Sequence, residues 1–215
     1  MIKAVLWDFG GVITSSPFEA FNRYELANGI PKDFIRSVNA KDPDTNAWAQ
    51  FESSSVSLEE FDPIFAAETE KAGHRIPGKE VMKLLSGHIR PEMVEALKLI
   101  KKNYRIACIT NNVKGAGEGP GMASDHSKAE KIVEIMGLFD FVIESSLVGF
   151  RKPDPRIYQL ACDKMGIDAS EAVFLDDLGI NLKPAKAMGM QTIKVTSAEQ
   201  ALGELSAILS MKLQA

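Results

Sequence analysis

The sequence predicts an α/β fold, a doubly wound parallel sheet with a helical segment inserted after its first strand. Three observations predict it. Short apolar runs at 2–7 (IKAVLW), 104–109 (YRIACI), 139–144 (FDFVIE), 172–176 (AVFLD) and 191–195 (QTIKV) are near-continuously apolar, as strands covered on both faces should be. Helical patterns separate the later runs, the alternation that builds parallel sheets. Between the first and second runs, residues 15–88 carry no strand signal at all.

Within 15–88 the pattern predicts helices near 17–28, 31–39, 57–72 and 78–87. Ser57 and Glu60 have the spacing of a capping box. Beyond the insertion, 91–102 opens with Pro91 in the first helical position. Residues 125–136 stop at Gly137. Residues 154–166 open with Asp154 as cap and Pro155 behind it. Residues 182–188 end at Gly189, and Thr196 with Glu199 offers a capping box for a last helix running to 210. The chain thus divides into a core of 1–14 and 89–215 and a helical domain of 15–88. An insertion just past a strand's carboxyl end would cover the ligand site of such a sheet as a cap or lid.

Bulk composition excludes several classes. The 215 residues are 45% apolar and 25% charged, with a net charge of −4, which argues against a nucleic-acid or anionic-membrane binder with its basic footprint. No apolar run approaches the ~20 residues that span a bilayer, and the N-terminus lacks a signal-peptide layout. Cys108 and Cys162 form no C-x-x-C pair, and Cys108 lies in an apolar run as a buried reduced thiol would. These features fit a cytoplasmic protein with no nucleic acid and no membrane as partner. Oligomeric state leaves no signal.

Four segments carry chemistry. Asp8 ends the first strand and is followed by Gly10 and Gly11 after Phe9; a carboxylate there can act as a nucleophile, and the glycines let substrate approach the backbone. Thr110, Asn111 and Asn112 end the second strand, where a hydroxyl and loop N–H groups can hold an anionic oxygen. Lys152 stands in Gly149-Phe150-Arg151-Lys152-Pro153-Asp154-Pro155, a cation suited to neutralising a nucleophile or a phosphoryl group; Arg151 competes for that role, and spacing does not separate the two. Asp176 and Asp177 close the fourth strand. Adjacent carboxylates repel unless a cation compensates, and Mg²⁺ suits a site of few carboxylates plus water and phosphate. Asn181 could steady the pair. The glycine-rich stretch 115–121 lacks G-K-[S/T] and contains Pro120, so it reads as a loop beside the site and not as a phosphate cradle. His74, His88 and His126 have no metal-ligand spacing. Trp48 and Phe51 read as packing within the helical domain, with the substrate pocket as the other possibility.

In this order and at these strand ends, the four segments resemble the haloacid dehalogenase-like hydrolase superfamily over nearly the whole chain. Leu175-Asp176-Asp177 with Asn181-Leu182-Lys183-Pro184-Ala185, Ile143-Glu144-Ser145-Ser146 and Lys152-Pro153 are similar to the amino-terminal phosphatase domain of soluble epoxide hydrolase and its bacterial relatives. The resemblance implies a Rossmann-like core with a C1-type helical cap. It implies a Mg²⁺-dependent phosphatase acting on a small phosphorylated metabolite through an aspartyl-phosphate. Asp8 would be the nucleophile, and Thr110 with Asn111 would hold phosphate beside Gly11. Lys152 would be the stabilising cation. Mg²⁺ would bind Asp8, the Gly10 carbonyl and Asp177, with Asp176 in support.

One departure from the family pattern matters. The superfamily's phosphatases usually carry a second aspartate two residues after the nucleophile, to protonate the leaving group. Here that position is Gly10, which has no side chain to transfer a proton, a loss of roughly 10²–10⁴-fold in general acid–base help. Either the leaving group has a low pKa, as in acyl, aryl or sugar 1-phosphates, or another residue such as Glu19, Glu25 or His126 supplies the proton. The alternatives to a phosphatase are a 2-haloacid dehalogenase, which also lacks the second aspartate, and a non-catalytic protein that binds a phosphorylated ligand.

Overall fold

The computed structural model describes residues 1–85, 87–112 and 126–213, with 126 and 127 in backbone only. Strand β1 (Ala4–Trp7) is followed by helices α1 (Pro17–Ala27), α2 (Phe34–Asn39), α3 (Ala47–Glu52), α4 (Leu58–Lys71) and α5 (Gly78–Leu84). Then come α6 (Pro91–Ile100), β2 (Arg105–Thr110), α7 (His126–Met136), β3 (Phe141–Glu144), α8 (Ser145–Val148), α9 (Pro155–Met165), β4 (Ala172–Asp176), α10 (Gly179–Ala187), β5 (Gln191–Lys194) and α11 (Ala198–Leu209). Among the described residues the strands form one parallel sheet in the order β3-β2-β1-β4-β5.

Strand alternation divides the core into two layers. Val5 and Trp7 of β1 face the cluster built by α6, α7 and α11, with Met93, Leu97, Ile132, Leu202 and Leu205. Ala4 and Leu6 face the opposite cluster with Ile157, Tyr158 and Ala185 of α9 and α10. Both faces of β1 are covered, which is why its sequence is apolar throughout. Because β1 is central and the strands are parallel, the loops after β1, β2 and β4 all emerge at one edge of the sheet.

The helices between β1 and β2 have a separate core of Phe21, Phe34, Ile35, Val38, Phe51, Phe61, Phe65 and Val81. Two chain crossings join this insertion to the sheet, and they are laced together. Ser15 N donates to His88 O at 2.7 Å, His88 N donates to Ser15 Oγ at 2.9 Å, and Thr14 bridges Ile89. A β-carbon on Gly87 would fall 2.4 Å from Ser15 O, so only glycine lets the crossings close up.

Several elements differ from expectation. Helix α2 starts at Phe34 instead of 31, because Asp33 adopts a left-handed conformation (φ 61°) that cannot sit inside a helix. Helix α3 has no counterpart in the sequence reading; Asn46 caps it, its side chain accepting from Ala49 N at 2.8 Å. The Ser57–Glu60 box is present in both directions. The last helix is capped one residue later than Thr196: Ser197 Oγ accepts from Gln200 N, while Gln200 Oε1 accepts from Thr196 N and Oγ1. Among the described residues no helix is long and apolar enough to cross a membrane. The glycine-rich stretch 115–121 lies outside the described residues.

Candidate active site

At the carboxyl edge of the sheet, Asp8 leaves β1 with its N–H bonded to Leu175 O on β4 at 2.8 Å. Its Oδ1 accepts from Phe9 N at 2.7 Å and pairs with Lys152 Nζ at 2.8 Å. The Lys152 ammonium bridges to Asp176 Oδ2 at 2.7 Å and is 1% exposed. Of the two cations that spacing left open, Lys152 is the one that reaches Asp8 and Asp176. Lys152 points inward, whereas Arg151 turns outward to the insertion and pairs with Glu52 and the Pro43 carbonyl.

Asp176 is fully buried and saturated, accepting also from Leu178 N (2.8 Å) and from Asn181 Nδ2 (3.1 Å to each oxygen). The Tyr158 hydroxyl in turn donates to Asn181 O at 2.6 Å. Asp177 turns the other way and lines the cavity; Ser16 Oγ donates to its Oδ2 at 3.0 Å. Thr110 is buried at the end of β2 and also lines the cavity. Asn111 spends its side chain on the Lys152 main chain, donating to Lys152 O at 3.0 Å and accepting from Lys152 N at 2.9 Å.

One carboxylate oxygen from each of Asp8, Asp176 and Asp177 lies within 4.8 Å of the other two. Burial pushes the Asp8 carboxyl well above its usual range; Lys152 pulls it down, but Asp176 and Asp177 push it further up. Burial and Asp176 raise Asp177 to about 6. Burial alone would lower the Lys152 amine, but Asp176 and Asp8 outweigh it and keep it protonated. One buried ammonium does not balance three carboxylates, and an all-oxygen donor set of this kind suits Mg²⁺. The residues present fit the ion.

Above them is a cavity of about 640 Å³. The sheet edge supplies its floor, including Asp8, Gly10, Thr110, Lys152 and Asp177, and the insertion supplies Phe18, Phe21, Arg36, Trp48 and Glu52. The two aromatic candidates part ways here: Trp48 lines the cavity, while Phe51 stacks on Phe61 inside the insertion. Among the proposed proton donors, neither Glu19 nor Glu25 lines the cavity. Glu25 is buried and committed to structure, accepting from Asp33 N (2.7 Å) and Ile35 N (2.8 Å) at the start of α2. The His126 side chain lies outside the described residues. Ser16, Glu52 and Tyr158 were not legible as site residues, because each reaches the site across a long sequence separation and belongs to no motif.

Comparison with known proteins agrees with this fold. A family model, haloacid dehalogenase-like hydrolase, matches residues 2–189. Mouse acyl-CoA dehydrogenase family member 10 is 34% identical over 98% of this chain and 19% of that protein. Pig bifunctional epoxide hydrolase 2 is 30% identical over 99% of this chain and 40% of that protein. The chain therefore spans well under half the length of both relatives. A haloacid dehalogenase family enzyme of Bacteroides thetaiotaomicron, crystallised with magnesium and inorganic phosphate, superposes with a TM-score of 0.61 at 22% identity, covering 95% of this chain and 99% of that one. With the family model matching most of its length, this chain belongs to the haloacid dehalogenase-like hydrolases.

Proposed function

We propose that this hydrolase is a Mg²⁺-dependent phosphatase that cleaves a small phosphorylated metabolite through a covalent aspartyl-phosphate on Asp8. The observation that carries the reading is the Lys152 ammonium, held between Asp8 Oδ1 and Asp176 Oδ2 beneath a cavity that Asp177 also enters. Phe9 N–H and Lys152 both bind Oδ1, which leaves Oδ2 of Asp8 to attack phosphorus while the P–O bond to the leaving group breaks and that oxygen departs as an anion, to be protonated by water. Attack of water on the aspartyl-phosphate then releases inorganic phosphate and restores the carboxylate. Lys152 neutralises the nucleophile in the ground state and the phosphoryl charge as it develops. Thr110 Oγ1 and loop N–H groups near Asn111 and Gly11 hold the phosphoryl oxygens; the Asn111 side chain acts on Lys152 instead.

Asp8, Asp177 and the Gly10 carbonyl would hold Mg²⁺, with Asp176 in support, and the bound ion would supply charge neutralisation at the phosphoryl group. The segment 15–88 serves as the cap that screens the site from water. With Gly10 at the proton-donor position and neither Glu19 nor Glu25 on the cavity wall, the preferred substrates are those whose leaving groups need little protonation, such as aryl, acyl or sugar 1-phosphates.

Mg²⁺-dependent release of phosphate from p-nitrophenyl phosphate, abolished by EDTA and by Asp8→Asn, is the expected result. Activity that survives Asp8→Asn would mean the nucleophile is wrongly assigned. Chloride release from 2-chloropropionate in EDTA would favour a dehalogenase, the reading that Gly10 alone supports and the three-carboxylate cluster disfavours.

A further inference from the structure

Helix α2 has two working faces. Phe34, Ile35 and Val38 are buried in the core of the insertion. On the opposite side, Arg36, Asn39 and Ala40 line the cavity above Asp8. Arg36 and Asn39 are three residues apart, so their side chains lie next to each other on one helix surface.

Among the described residues neither side chain has a hydrogen-bond or ion-pair partner. Among the described residues no carboxylate pairs with Arg36, although the other cavity cations are both engaged, Lys152 by Asp8 and Asp176 and Arg151 by Glu52. The Arg36 guanidinium is held over the Phe18 ring at 4.8 Å, which fixes its position without using its N–H donors. Asn39 Oδ1 is buried with no hydrogen-bond partner, a state that costs free energy unless something else fills it. The amide can turn to offer either its N–H₂ or its oxygen. The insertion also lines the cavity with Phe18, Phe21, Trp48 and Leu85, alongside the polar Asp44, Asn46 and Glu52, the last of which is paired with Arg151. A cavity of about 640 Å³ is also far larger than a phosphate group alone requires.

We propose that Arg36 and Asn39 form a recognition subsite for a carboxylate carried by the part of the substrate that is not transferred. The substrate class is then a phosphomonoester with an apolar spacer, best an aromatic ring, between its phosphate and a distal carboxylate. The Arg36 fork takes the carboxylate, Asn39 adds a hydrogen bond, and the aromatic wall packs the spacer. This deepens the phosphatase reading and rests on it.

Two probes separate the two levels. The first is the ratio of kcat/KM for 4-carboxyphenyl phosphate to that for phenyl phosphate. The wild type is expected to favour the carboxylated ester by tenfold or more, chiefly through KM; Arg36→Met should bring the ratio close to one, and Arg36→Lys should restore part of it. Equal kcat/KM for the two esters in the wild type, or a preference that survives Arg36→Met, overturns the subsite. The second probe needs no turnover: calorimetric binding of 4-carboxybenzylphosphonate against benzylphosphonate, with the same tenfold preference lost in Arg36→Met. If that preference appears while neither ester is hydrolysed, the subsite stands and the phosphatase reading fails. If neither phosphonate binds better than the other, the subsite fails whatever the enzyme hydrolyses.

Discussion

The carboxylate of Asp177 occupies the space that a β-carbon on Gly11 would need: its Oδ2 lies 2.2 Å, and its Cγ 2.4 Å, from that position. Gly11 also has φ of +78°, where L side chains are strained. The loop after β1 and the loop after β4 thus meet main chain to side chain with no room between them. Gly11→Ala should cost about 1–3 kcal/mol of backbone strain and displace Asp177 besides. The expected variant is folded by circular dichroism yet binds Mg²⁺ at least tenfold more weakly by calorimetry. Wild-type Mg²⁺ affinity in Gly11→Ala would show that Asp177 does not depend on that contact.

Lys152 is the counter-ion for two buried carboxylates, so Lys152→Met should be felt in stability as well as in turnover. Breaking a buried ion pair from one side costs about 3–5 kcal/mol, read as a lower urea midpoint. Lys152→Arg is not expected to rescue activity, because a planar fork cannot replace a compact ammonium between Asp8 Oδ1 and Asp176 Oδ2. Recovery of wild-type turnover by arginine would argue that only the charge matters.

In the proposed mechanism Gly10 takes the place of a proton donor, and a β-carbon there would meet nothing within 4 Å. Gly10→Asp therefore has room. It should raise turnover of alkyl monophosphates by up to about 10²-fold, the lower range of general acid catalysis, and alter p-nitrophenyl phosphate far less. The comparison of kcat on glycerol phosphate and p-nitrophenyl phosphate checks this. No gain on the alkyl ester would mean proton donation is not what limits the enzyme.

Glu52 links the insertion to the loop bearing Lys152. Burial raises its carboxyl above the usual glutamate range, although Arg151 and the Trp48 indole (Nε1 to Oε1, 3.0 Å) pull it down. With a folded value above the unfolded one, the folded protein binds more protons through that interval. The stabilising contribution is then complete below the ordinary value of about 4.3 and is lost as pH rises through the raised value. Glu52→Gln should flatten that part of the profile, measured as urea midpoints between pH 4 and 7. An unchanged slope in the variant would assign the pH dependence elsewhere.

How far the sequence could be read follows from what each residue answers to. The strands were legible because burial on both faces leaves β1, and β4 as far as Leu175, apolar at every position, a local signal. Asp8, Thr110, Lys152, Asp176 and Asp177 were legible as candidates because each sits at or just past a strand end or in a proline-framed loop. Helix α3 was not, since its one local mark is the Asn46 cap on a short helix. Nor could spacing assign Lys152 over Arg151: the two differ in which way the loop turns them, and the loop is held by Asn111, just past the end of β2, clamping the Lys152 main chain. Glu25 shows the opposite error, a carboxylate that read as a proton donor and is spent on main-chain amides of α2.

That last carboxylate has a consequence for how such an enzyme changes its diet. Glu25 belongs to α1, and it grips the first turn of α2 through Asp33 N and Ile35 N. Phe18 and Phe21 ride on one helix and Arg36 on the other, so this one carboxylate ties together two helices that line the cavity. Loosening a single interior acid would re-aim three contact residues together, and selectivity could drift without any of them being replaced.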